Sequence, residues 1–140
     1  MTRRENLSHD DFWIRWGSNS HFETVNFDDF YLSGINMTSR KFKDSALRRV
    51  NFTDMDMRDT TWIDCDLQAV EFHKCDLTNA RFLNVIAQQV EFVECKLQGA
   101  VFQENIFSEL YMFGCDGLIS FHSQARSGKI MDCDFERSCF

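Results

Sequence analysis

The sequence predicts an all-β solenoid whose chain turns a corner every five residues. Three observations carry this reading. Apolar residues recur at every fifth position from Phe22 to Met112, small or aliphatic residues run two positions ahead of them, and the positions between are mostly polar or charged. A helix repeats about every 3.6 residues and a strand every ~2, so neither alone gives five. A segment of five has one central and one smaller side chain to bury, and it can bury them only by stacking on neighbouring segments.

The N-terminal segment, residues 1–20, departs from the pattern at Gly17. Its "DDFWIRWGS" carries Phe12, Trp13, Ile14 and Trp16 and is expected to cap the first coil. The regular region, residues 21–117, holds nineteen apolar centres in series: Phe22, Phe27, Leu32, Met37, Phe42, Leu47, Phe52, Met57, Trp62, Leu67, Phe72, Leu77, Phe82, Ala87, Phe92, Leu97, Phe102, Phe107 and Met112. The second series includes Ser45, Val50, Met55, Thr60, Cys65, Val70, Cys75, Ala80, Val85, Val90, Cys95 and Ala100. After "GCDGLISF" the grid is lost and resumes three positions out of phase at Ile130, Phe135 and Phe140. Residues 118–140 are therefore read as a loop and a last irregular coil.

At 140 residues one domain is expected. Fifteen Phe and three Trp, nine of the Phe and Trp62 on the strict period, with no Pro, exclude a disordered coil even though 26% of residues are charged and mean hydropathy is −0.36. No stretch has the length of a signal peptide or membrane span, so a cytoplasmic location and no membrane contact are expected. Cys65, Cys75, Cys95 and Cys115 fall on the small inward series and read as reduced, buried thiols, whereas Cys133 and Cys139 are less constrained.

The segments "CDLQA", "CDLTNA" and "VNFTD", with Phe or Leu at the centre, a small residue two before it and Asp or Asn between, resemble the pentapeptide-repeat family from residue 22 to about 116. That resemblance implies a right-handed quadrilateral β-helix with four segments per coil, hence columns of residues twenty apart. Leu32, Phe52, Phe72, Phe92 and Met112 would form one such column, and Ile35, Met55, Cys75, Cys95 and Cys115 another. Nearly five coils at sheet spacing give a rod of roughly 24 Å. Several family members resemble duplex DNA in shape and charge and bind DNA gyrase or topoisomerase IV. This chain lacks a candidate helix after Phe135, and Arg48, Arg49, Arg58, Lys74, Arg81 and Lys96 would interrupt a DNA-like potential.

No enzyme is expected, and no cofactor. His9, His21, His73 and His122 share no column with an Asp and a Cys or Ser, and no phosphate loop or catalytic motif is present. A metal site on Cys75, Cys95, Cys115 and His73 is not expected either, because strand alternation turns His73 outward and Cys75 inward. Function is thus assigned to the surface. Residues 51–140 carry fifteen acidic and seven basic side chains, a balance that disfavours direct nucleic-acid binding. The candidate interaction surface comprises an acidic column, Asp44, Asp64 and Glu104 with Asn84 among them, and three outward apolar pairs: Ile63 with Leu83, Ile86 with Ile106, and Val93 with Phe113. The expected function is a non-enzymatic protein-binding scaffold. The alternatives are a DNA-mimicking modulator or protector of gyrase or topoisomerase IV, and the docking module of a secreted bacterial effector; a homodimer is among the expected assemblies.

Overall fold

In the computed structural model, residues 4–18, 21–136 and 138 are described. The chain is almost entirely β. It opens with β1 (Glu5–Asn6) and one helix, α1 (His9–Ser18), followed by the short strands β2 (His21–Glu23), β3 (Val25–Asp28), β4 (Tyr31–Ser33) and β5 (Lys41–Lys43). Long and short strands then alternate: β6 (Ala46–Thr53), β7 (Thr61–Ile63), β8 (Asp66–His73), β9 (Arg81–Leu83) and β10 (Ile86–Val93). Two long strands complete it, β11 (Val101–Phe113) and β12 (Ser120–Met131).

All the pairings are parallel, and through the regular region each residue faces the one twenty further on, as in Leu47 with Leu67 and Phe52 with Phe72. Five-residue segments and a twenty-residue register make four faces per coil, wound as a right-handed quadrilateral β-helix of about six turns. The excess over the expected nearly five coils comes from both ends. Glu5 already pairs with Val25, and β12 lies along β11.

All nineteen centres are buried. The rings form ladders because parallel in-register strands place identical positions one sheet spacing apart: Trp62 stacks on Phe42 at 4.0 Å and on Phe82 at 5.7 Å, and Phe82 on Phe102 at 5.1 Å. The smaller inward series does a second task. Cys65, Cys75, Cys95 and Cys115 each direct Sγ–H to a main-chain carbonyl of the preceding coil at 3.2–3.3 Å, and Asn105 donates to the Phe82 carbonyl at 2.9 Å while accepting from the Val85 amide at 2.7 Å. A small polar residue fits there because it fills little volume and satisfies buried backbone.

The corners explain the polar positions. Residue after residue at the corner has positive φ: Asp44, Arg49, Asp54, Asp59, Asp64, Ala69, Lys74, Asn79, Asn84, Gln89 and Glu94 all lie between +48° and +60°. Asp and Asn tolerate this conformation, and Thr24, at φ +57° in the first coil, is the β-branched exception among these corners. On the face centred on Met57, Leu77 and Leu97, the corner closes as a β-turn, with the Ala80 amide donating to the Leu77 carbonyl at 2.9 Å. Asn36, Asp76 and Asp134 accept the amide two residues on, so part of the acidic character is turn chemistry.

The ends differ. At the first coil Ser8 caps α1 through the Asp11 amide, and α1 delivers Phe12, fully buried and stacked on Phe22 at 5.4 Å. Trp13 remains 48% exposed, and Arg40 lies over the ring of Trp16 at 5.2 Å. Gly17 falls within α1, the side chain of Ile14 lies outside the described set, and Cys139 and Phe140 lie outside the described residues. At the last coil the register falls from twenty to nineteen at Val101 with Ser120, then to eighteen at Ile106 with Gln124. Two single-residue omissions at successive corners therefore produce the phase change, and Ile130 faces Met112. No helix among the described residues is long and apolar enough to cross a membrane.

Candidate interaction surface

The twenty-residue register brings most of the sequence-derived surface to one corner of the rod. Leu83 ends one face, Asn84 makes the corner, Val85 turns inward and Ile86 opens the next face. Ile63 lies in register with Leu83, and Ile86 with Ile106, so the two apolar pairs flank the corner column of Asp44, Asp64, Asn84 and Glu104. Ile86 is 56% exposed and Ile106 37%; Ile63 and Leu83 are half-buried.

The column is less uniformly negative than its residue types suggest. Arg4 bonds the Asp44 carboxylate at 3.3 Å and the Asp66 carboxylate at 3.0 Å, and Asn84 donates to Asp64 at 2.7 Å. Glu104, at the far end of the column, is exposed. Beside Ile86 a shallow groove of about 280 Å³ is bordered by Arg48, Asp66, Gln68 and Gln88. The surface can thus offer an apolar strip next to acceptor groups, a pattern suited to a protein partner with basic and apolar groups side by side.

Val93 and Phe113 are in register with each other but two faces away from Ile63 and Leu83, so they do not join this corner. They border a different outward row. Asn51, Glu71, Glu91 and Tyr111 stand in successive coils, with Thr53, His73, Val93 and Phe113 two positions along. Sequence reasoning passed over Glu71 and Glu91, although a spacing of twenty placed them side by side.

These observations define a class first: a β-helical repeat solenoid whose apolar centres are buried and whose outward positions are mostly polar. Residues 18–82 match the pentapeptide repeat region family, and the chain carries that repeat and has the fold of the pentapeptide-repeat proteins. Among solved structures it is similar to HetL, a pentapeptide repeat protein involved in heterocyst differentiation regulation from the cyanobacterium Nostoc sp. strain PCC 7120, with TM-score 0.71, 15% identity, 79% of this chain covered and 47% of that one. Similar too is Rfr23, from the cyanobacterium Cyanothece 51142, with TM-score 0.70, 12% identity and coverage of 95% and 99%. QnrB1, a plasmid-mediated fluoroquinolone resistance protein, matches with TM-score 0.51, 16% identity and coverage of 81% and 75%. The chain spans about half the length of HetL, and at these identities the likeness establishes the fold alone. No curated protein sequence matches it.

Proposed function

We propose that the protein is a non-enzymatic binding scaffold that docks a partner protein on the corner formed by Ile63, Leu83, Ile86 and Ile106 around Asp64 and Glu104. The observation that carries this reading is the exposure of Ile86 and Ile106 in adjacent coils, in register, at a repeat position otherwise held mainly by polar residues. Stacked exposed isoleucines beside carboxylates contribute nothing to the core, so a partner is the source of their burial.

The test is affinity capture with the full chain. Ile86→Asp together with Ile106→Asp should abolish capture and keep the β-sheet circular dichroism, since both side chains point outward. Asp64→Asn with Glu104→Gln should weaken it to a smaller, salt-dependent degree. Equal capture by the Ile86/Ile106 variant would sink the reading. Type II topoisomerase is the partner that the family resemblance supplies, and a gyrase supercoiling assay with and without a quinolone tests it separately.

A further inference from the structure

The outward row on the face of β8 and β10 brings three ligand-type side chains together. Glu71 and His73 alternate outward on β8, and Glu91 faces Glu71 in register from β10. One carboxylate oxygen from each glutamate and one imidazole nitrogen all lie within 4.8 Å of one another. Three atoms so placed can all be reached from a single point within about 2.8 Å, and side-chain rotation has to bring them in to the ~2.0–2.2 Å of zinc–nitrogen and zinc–oxygen bonds.

Two further features point to a cation. His73 Nε2 is shielded from solvent with no hydrogen-bond partner, and the nearest Glu71 oxygen is 3.8 Å away, beyond a hydrogen bond. A shielded imidazole nitrogen facing carboxylates can be satisfied by a cation held between them. Next, Glu71 and Glu91 stack like charge on like charge.

The surroundings preorganise the set. Asn51 donates to Glu71 Oε2 at 2.9 Å and itself accepts from the Thr53 hydroxyl at 2.5 Å, a chain of the kind that orients metal-ligating carboxylates. Val93, beside His73 in register, bounds the row on the apolar side, and Tyr111 follows Glu91 in the next coil.

We propose that Glu71, His73 and Glu91 form a binding site for a divalent first-row transition ion, with Zn²⁺ the best match. One imidazole and two carboxylates suit a borderline cation better than Mg²⁺ or Ca²⁺, which take oxygen ligands only. Three protein ligands leave coordination positions open toward solvent. The thiols of Cys75 and Cys95, two residues beyond the ends of β8 and β10, are buried in the core and take no part.

The experiment uses the full chain stripped with chelator, titrated with Co²⁺ by absorption and with Zn²⁺ by calorimetry. One saturable site per chain is expected, with weak d–d bands, no thiolate charge-transfer band, and displacement of Co²⁺ by Zn²⁺. His73→Gln and Glu91→Gln should each weaken Zn²⁺ binding by about tenfold or more. Both variants should melt no lower than the parent in chelator, because the mutated groups face outward, and should lose the parent's Zn²⁺-induced rise in melting temperature. A thiolate band, unchanged affinity in both variants, or no saturable binding would each overturn the proposal.

Discussion

The rings of Phe72 and Phe92 lie 4.9 Å apart and within 5° of parallel, although twenty residues separate them in the chain. Phe72 also stacks on Phe52 at 5.2 Å and meets Trp62 and Phe82 edge-on at 5.8 and 6.1 Å, so its removal opens a gap felt by four rings. Phe72→Ala should cost about 3–5 kcal/mol, and Phe72→Leu, which keeps most of the volume, under ~1.5 kcal/mol. Urea unfolding followed by circular dichroism measures both. Similar losses for the two variants would mean that ring stacking, rather than filled volume, dominates the core.

Gly128 and Gly34 test what glycine does at two unlike places. A Cβ on Gly128 would lie 1.7 Å from the Leu110 carbonyl oxygen, whereas one on Gly34 meets nothing within 4 Å. Gly34→Ala therefore has only the left-handed backbone penalty to bear, about 1–2 kcal/mol at φ +67°, partly offset by lower unfolded-state entropy. Gly128→Ala cannot keep β12 on β11. Hydrogen exchange should show amides of Ser120–Met131 losing protection while those of β8 and β10 keep theirs; loss spread over the whole rod would refute a local effect.

Much of this architecture was legible because inward positions obey a period that the chain cannot break without unburying a side chain. The pairs Ile63 with Leu83 and Ile86 with Ile106 followed from the same period. The role of Arg4 did not. It lies outside the repeat, and only the three-dimensional course of β1 beside β3 brings it to Asp44 and Asp66. The phase change before Ile130 was visible, but its origin in two separate one-residue omissions required the register of β11 with β12. Likewise, outward alternation separated His73 from the thiols, yet the neighbours it gains, Glu71 on its own strand and Glu91 on the next, were passed over, because pairing outward positions twenty apart was applied only to the acidic and apolar columns.

Arg49 sets the acid behaviour of one exposed corner. It bonds Asp28 at 2.7 Å and grips both oxygens of Asp29 in the preceding coil, and the Arg49 hydrogen bond holds the Asp29 carboxyl below the usual aspartate range. A depressed carboxylate stabilises the fold fully above its unfolded pKa of about 3.9, and that contribution disappears as pH falls through the lower folded value. Carboxyl NMR should find Asp29 titrating below 3.8, and Arg49→Gln should move it upward. The melting temperature should change little in either case, because solvent screens the pair. An Asp29 titration that ignores Arg49→Gln would contradict the pairing.

The thiols separate chemistry from access. Burial pushes Cys65 up to about 12, leaving almost no thiolate at neutral pH. Cys115 is different: interaction with the Cys95 thiol lowers it, so its burial is what keeps a reagent away. Cys133, half-exposed beside it, accepts from the Cys115 amide at 3.4 Å and belongs to the last described coil. Maleimide labelling with peptide mapping should therefore modify Cys133 ahead of Cys65, Cys75, Cys95 and Cys115 in the native protein. In Gly128→Ala, where β12 is released, Cys115 should become the fastest of those four, while Cys65 stays protected until global unfolding. Equal labelling of Cys65 and Cys115 in that variant would show that the coils open together and that the rod is one cooperative unit.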